Sequence, residues 1–319
     1  MPANIGRRKF VEVVSEFSIG IALIAEIILF SQFSQYFFTA ENLLNISLQA
    51  SITAIIAAGM TFVILTAGID LSVGSLVAFA GIIATTVIKI NVPVYLSLSL
   101  GILAGLLFGV FSGFIAGIFV TKFKITPFIV TLALMTIWRG ASFVYTEGRP
   151  VWELPEAFSY LGGGRIIGVP VPTVIMMIVF ITSHIVLTKT RFGRYVYAVG
   201  GNLEAARLAG IKTNKILISV YIISGVLSAL AGILLASRIN SGQPNAGLMY
   251  ELDVIAAVVV GGTSLFGGRG TIIGTFLGAM LIAVLRNGLN LLNVGSYVQQ
   301  VIVGLVILLA VLLDQIRKK

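Results

Sequence analysis

Few side chains in this sequence are equipped for chemistry, and they stand at particular places. Two carboxylates, Asp70 and Asp253, begin or flank short apolar runs. Ser72 and Ser75 follow the first, and Thr263 and Ser264 lie downstream of the second. Asn287 and Asn290 sit three residues apart near the end of a later apolar run. Such groups can make weak, reversible hydrogen bonds to an uncharged polar solute. They cannot readily break a covalent bond. The chain has no cysteine and a single histidine, His184. It carries neither HExxH nor GxSxG, so thiolate, zinc-hydrolase and nucleophile-elbow chemistry lack their residues. GxxxxGK[ST] is missing too, so ATP must be handled by another chain. No metal site and no cofactor are expected. A second reading stands beside the first. A carboxylate at a helix start is favourable as a cap, and hydroxyls or amides between membrane helices hold them together at about 0.6 kcal/mol each.

The elements that position these residues follow from composition. The 319 residues are 58% hydrophobic and only 10% charged, with a mean hydropathy of +1.06. Soluble domains carry about 25% charged residues, so the sequence reads as an all-α polytopic membrane protein forming one transmembrane domain over 1–319. A helix needs about 20 apolar residues to cross the hydrocarbon core. About ten spans are expected, near 17–38, 46–66, 72–88, 94–120, 126–146, 170–188, 216–237, 252–266, 271–289 and 297–313, the third and eighth being short. An eight-span version with those two segments re-entrant keeps the same ends. Arg7-Arg8-Lys9 before an apolar run imitates a signal peptide. The run is too long and lacks a small-residue cleavage site, so it is expected to remain as the first span. Most of the 21 Lys and Arg fall in connections on the side of the N-terminus. That asymmetry predicts both termini in the cytosol and accounts for the net charge of +9 without nucleic acid.

Glycines punctuate the spans in two ways. Gly101, Gly105, Gly109, Gly113 and Gly117 recur every fourth residue, a small-residue row that lets another helix approach closely. Two further glycine-rich segments, 66–75 and 261–270, interrupt apolar stretches in the two halves of the chain and suggest a degenerate internal repeat. Paired breaks of this kind point to a transport pathway. Tight turns at the cytosolic face are the alternative. Two polar segments remain, an outer loop at 147–169 and a basic cytosolic loop at 189–215. The outer loop either meets an extracytoplasmic partner or merely connects. Within the cytosolic loop, Glu204, Ala205, Ala206, Arg207 and Gly210 outline a short helix ended by glycine, a handle for a soluble partner.

The motifs GIDLSVGS at 68–75, RFGRYVYAVGGNLEAARLAGI at 191–211, YELDVIAAVVVGGTSLFGGRGT at 250–271 and RNGLNLL at 286–292 occur in order. Together they resemble the inner-membrane permeases of bacterial ATP-binding cassette (ABC) sugar importers of the ribose type, over nearly the whole chain. The 204–210 segment resembles the coupling loop of such permeases, in the short form of the ribose-type group. The resemblance implies a homodimer, or a pair with a close paralogue, in the cytoplasmic membrane of a bacterium. It implies a cytosolic ABC ATPase gripping the coupling helix, a periplasmic or lipid-anchored sugar-binding protein, and a monosaccharide as cargo. Two rivals are weighed. An ion-coupled secondary transporter needs more intramembrane ionisable groups than Asp70 and Asp253, and leaves the coupling loop unexplained. An intramembrane enzyme lacks its motifs.

Overall fold

The computed structural model describes residues 19–317. Arg7-Arg8-Lys9, the first residues of the first expected span, and Lys318 and Lys319 lie outside them. Thirteen helices are described: α1 Ile19–Phe33, α2 Ala40–Leu65, α3 Val73–Ile88, α4 Val94–Thr121, α5 Pro127–Thr146, α6 Glu156–Gly163, α7 Val171–Lys189, α8 Arg191–Gly201, α9 Leu203–Leu208, α10 Thr213–Arg238, α11 Tyr250–Val260, α12 Ile272–Leu291 and α13 Ser296–Arg317.

Among the described residues, six helices are long and apolar enough to cross a membrane: α2, α4, α5, α7, α10 and α12. Three of the other four expected spans fall on the shorter helices α1, α3 and α11, and the last falls on α13. α1 stops at Phe33, five residues before the expected end, and α11 stops at Val260, where 252–266 was expected to be continuous. At 1.5 Å per residue α3 rises about 24 Å and α11 about 17 Å, less than the ~30 Å of a hydrocarbon core. The glycine-rich breaks bound both, the first delaying the start of α3 and the second ending α11 part-way across the bundle. The two breaks are flanked in opposite order, long α2 before short α3 and short α11 before long α12.

α10 is the hub, packed against α4, α2 and α3. α2 is buried almost all round through its second half, as expected of a helix apolar on every face. The glycine row of α4 lies against α10 and α3. A β-carbon built on Gly109 would sit 2.5 Å from the Gly225 carbonyl oxygen, so the backbones touch there. Away from α10, α4 leaves Leu103, Leu107, Phe111 and Phe114 exposed.

The two polar loops lie at opposite ends of the bundle, and both are ordered. At one end, 147–170 contains α6 and the small hairpin β1 (Arg165–Ile166) and β2 (Val169–Pro170), a departure from an all-α chain. Its two-residue turn places both Ile167 and Gly168 at positive φ, the geometry that tight hairpins require. Phe158 of α6 is fully buried, and Ser237 at the end of α10 donates to its carbonyl. At the other end, 189–215 folds into α8 and α9 beside both breaks.

Candidate functional site

α8 starts where Thr190 Oγ1 accepts the Gly193 N–H, and it buries Gly193, Val196 and Val199 on one face. The next residue past α8, Asn202, caps α9 by accepting the Ala205 N–H on Oδ1 at 2.9 Å. α9 then closes in a Schellman arrangement. The Gly210 N–H donates to the Arg207 carbonyl at 3.0 Å and the Ile211 N–H to the Ala206 carbonyl at 3.1 Å. Gly210 has φ +82°, the left-handed conformation this cap needs. Only Ala206 of α9 is buried. Glu204, Ala205 and Arg207 face outward, and two residues not singled out in the sequence, Leu203 (44% exposed) and Leu208 (87%), present bare apolar surface. An open cleft of about 1080 Å³ separates α9 from the turn between α4 and α5. Lys124, Arg207, Lys212 and Lys215 line it, and it reaches inward to Gly68 and Tyr221.

The far end of α8 meets both breaks at once. Gly200 lies so close to the C-terminus of α2 that a β-carbon on it would overlap the Leu65 carbonyl oxygen. That same oxygen accepts the Gly268 N–H of the second break at 2.9 Å. Tyr197 Oη donates to the Gly270 carbonyl at 2.8 Å, and burial pushes this phenol above its ordinary pKa. Neither Tyr197 nor Gly200 was singled out in the sequence. A glycine pair closing an amphipathic helix was the available signal, but only the fold shows what it touches.

The polar candidates are spread over separate places. Asp70 is buried, 2% exposed, and fully engaged. Its Oδ1 accepts from the Ser72 N–H at 3.0 Å and Ser72 Oγ at 2.6 Å, and its Oδ2 accepts from Ser224 Oγ at 2.8 Å. It thus both turns the chain into α3 and ties that start to α10. Ser224 lies roughly 16 Å along α10 from Thr213, at 1.5 Å per residue, so α3 begins near the middle of the bundle. Ser75 donates to the Ser72 carbonyl. In the second break, the Ser264 N–H donates to the Arg269 carbonyl, and the Thr263 hydroxyl is buried with no hydrogen-bond partner among the described residues.

Asn287 forms a reciprocal amide pair with Asn42, at 2.9 and 3.0 Å, which pins α12 to the start of α2. Asn290 accepts from Gln299 at 2.7 Å. Asp253 accepts from Arg286 at 2.6 Å. Arg286 lies within α12 and faces this carboxylate. Arg139 faces protein within α5 and donates to the Pro244 and Ala246 carbonyls at 2.7 Å each, clamping the segment that leads into α11. Among the described residues no group of three or more His, Cys, Asp or Glu is placed to hold a metal ion.

Residues 42–311 match the family model described as branched-chain amino acid transport system / permease component. The ribose import permease protein RbsC of Haemophilus influenzae is 50% identical over 298 residues, covering 92% of this chain and 91% of that protein. RbsC of Escherichia coli K12 is 49% identical over 314 residues, 97% of both. The L-arabinose transport system permease protein AraH of the same strain is 42% identical over 283 residues, 89% of this chain and 85% of that one. No solved structure matches the chain significantly.

Proposed function

The chain belongs to the branched-chain amino acid transport system / permease component family, and on that premise we propose that it is the membrane subunit of an ABC importer that carries ribose into a bacterial cell. Ribose is preferred over a branched-chain amino acid because the ribose permeases are about half identical to this chain over more than nine-tenths of its length. The permease works as a pair in the cytoplasmic membrane, with both chain ends in the cytosol. A separate ATPase grips α9, and an extracytoplasmic binding protein delivers sugar at the end carrying α6.

One observation carries this reading. α9 holds Leu203 and Leu208 out to solvent, while the adjoining α8 is in backbone contact with the C-terminus of α2 and with the second break. Exposed leucines on a six-residue helix are a surface awaiting a partner. Force applied there passes along α8 to Leu65, Gly268 and Gly270. These residues flank the points where α3 and α12 begin, so a small rotation of α8 shifts both helices relative to α10.

The decisive experiment is sugar uptake by the permease reconstituted with its ATPase and binding protein. Ribose uptake should require ATP hydrolysis and stop when the ATPase is omitted. Uptake driven by an ion gradient with the permease alone would replace this reading with a secondary transporter. Reporters fused to either end of the chain should be protease-protected in intact cells, and an accessible C-terminal fusion would reverse the proposed orientation.

A further inference from the structure

α2, α11 and α12 enclose a cavity of about 140 Å³ whose polar wall is Gln49, Thr53, Tyr250, Asp253 and Arg286. Helical spacing makes them converge. Gln49 and Thr53 are four residues apart on α2, and Tyr250 and Asp253 three apart on α11, so each pair shares one face. Small and apolar side chains of α11 and α12 complete the wall.

Three features set this cavity apart from the buried polar clusters around it. Its ion pair is open, with Arg286 34% and Asp253 12% exposed. Hydrocarbon cannot solvate such charges, so inside a membrane they face a water-filled cavity or protein. Its hydrogen-bonding capacity is largely unspent. Among the described residues, Asp253 Oδ2, the Gln49 amide and the Tyr250 hydroxyl have no hydrogen-bond partner, whereas Asp70 uses both oxygens. Its size is selective. A cavity of about 150 Å³ accommodates benzene, so at about 140 Å³ this one takes no more than a single ring and excludes a disaccharide.

We propose that this cavity is the sugar subsite of the translocation pathway, built for a single neutral monosaccharide; the proposal rests on the sugar-permease reading above. Asp253 Oδ2 accepts from sugar hydroxyls, and the free N–H groups of Arg286 donate to sugar oxygens. The Gln49 amide does both, and the Tyr250 ring covers the apolar C–H face. The carboxylate and guanidinium neutralise each other, so the site offers a sugar directional hydrogen bonds without holding a charged solute.

The test uses the complete transporter in proteoliposomes, with radiolabelled ribose, arabinose and galactose as probes and sucrose as the oversized control. Gln49→Leu and Tyr250→Leu should each lower uptake about tenfold, the scale of one lost hydrogen-bonding or packing contact. Tyr250→Phe, which keeps the ring and loses only the hydroxyl, should lower uptake less than Tyr250→Leu does. The ATPase should co-purify with every variant at the wild-type level, which excludes misassembly. The chain has no cysteine, so Thr53→Cys reports on the cavity directly. A water-soluble methanethiosulfonate should modify it, and the transported sugar, but not sucrose, should slow the reaction. Wild-type uptake by Gln49→Leu and Tyr250→Leu together with unprotected labelling at position 53 would overturn the subsite. If the wild-type transporter carries another monosaccharide in place of ribose, the identity of the cargo fails and the subsite is judged with that sugar. If it carries none, the sugar-permease reading fails, and the subsite with it.

Discussion

Replacing Gly210 by valine tests the proposed coupling role of α9 at its weakest point. A β-carbon at this position would meet nothing within 4 Å, so no clash is created and the whole effect comes from the backbone. Gly210 has φ +82°, and an L-residue in the left-handed region costs about 1–2 kcal/mol, with β-branching adding to it. α9 has only six residues, and so short a helix has no stability of its own in water. It persists through the Asn202 cap, buried Ala206 and the two bonds that close on Arg207 and Ala206. Removing 1–2 kcal/mol from that set shifts the local folded-to-frayed ratio by a factor of about 5–30. Gly210→Val should therefore lower both ATPase co-purification and ribose uptake by about tenfold while leaving the permease in the membrane at its normal level. Gly210→Asn should retain most of both activities, because asparagine tolerates the left-handed conformation. If valine and asparagine behave alike, the left-handed cap is irrelevant to docking and the reasoning fails.

Gly200→Ala should bind the ATPase normally yet lose uptake, because its β-carbon would overlap the Leu65 carbonyl and neither backbone can yield cheaply; full uptake would show that α8 does not transmit motion to the breaks. Cysteines placed at Ser72 and Ser264, both buried, should be inert to a small water-soluble thiol reagent at rest and become reactive during ATP turnover. Unchanged burial at both would make the breaks static packing elements. Asn42→Leu should destabilise the permease by about 1–3 kcal/mol by leaving the Asn287 amide unpaired, read as a lower melting temperature in detergent. Adding Asn287→Leu should recover part of that loss, and an additive double variant would mean that the two amides do not interact.

Much of this protein was legible in its residue order. The membrane class followed from composition, because apolar runs of this length have no other stable environment. The short helix at 203–208 was legible as well, since a cap, a short helix and a terminal glycine are local features of consecutive residues. The breaks could be located for the same reason, as glycine clusters within apolar runs. Their depth could not. It depends on Ser224 reaching Asp70 across 154 residues of chain, a contact that no local pattern encodes. The polar candidates divided in the same way. Asn287 and Asp253 look alike in sequence, each a polar residue in an apolar run. Only the packed structure pairs one with Asn42 in a closed amide exchange and leaves the other, beside Arg286, with an oxygen free toward a cavity. The reason is physical: sequence spacing dictates which face of a helix a side chain occupies, but its chemistry depends on what the other helices bring to that face.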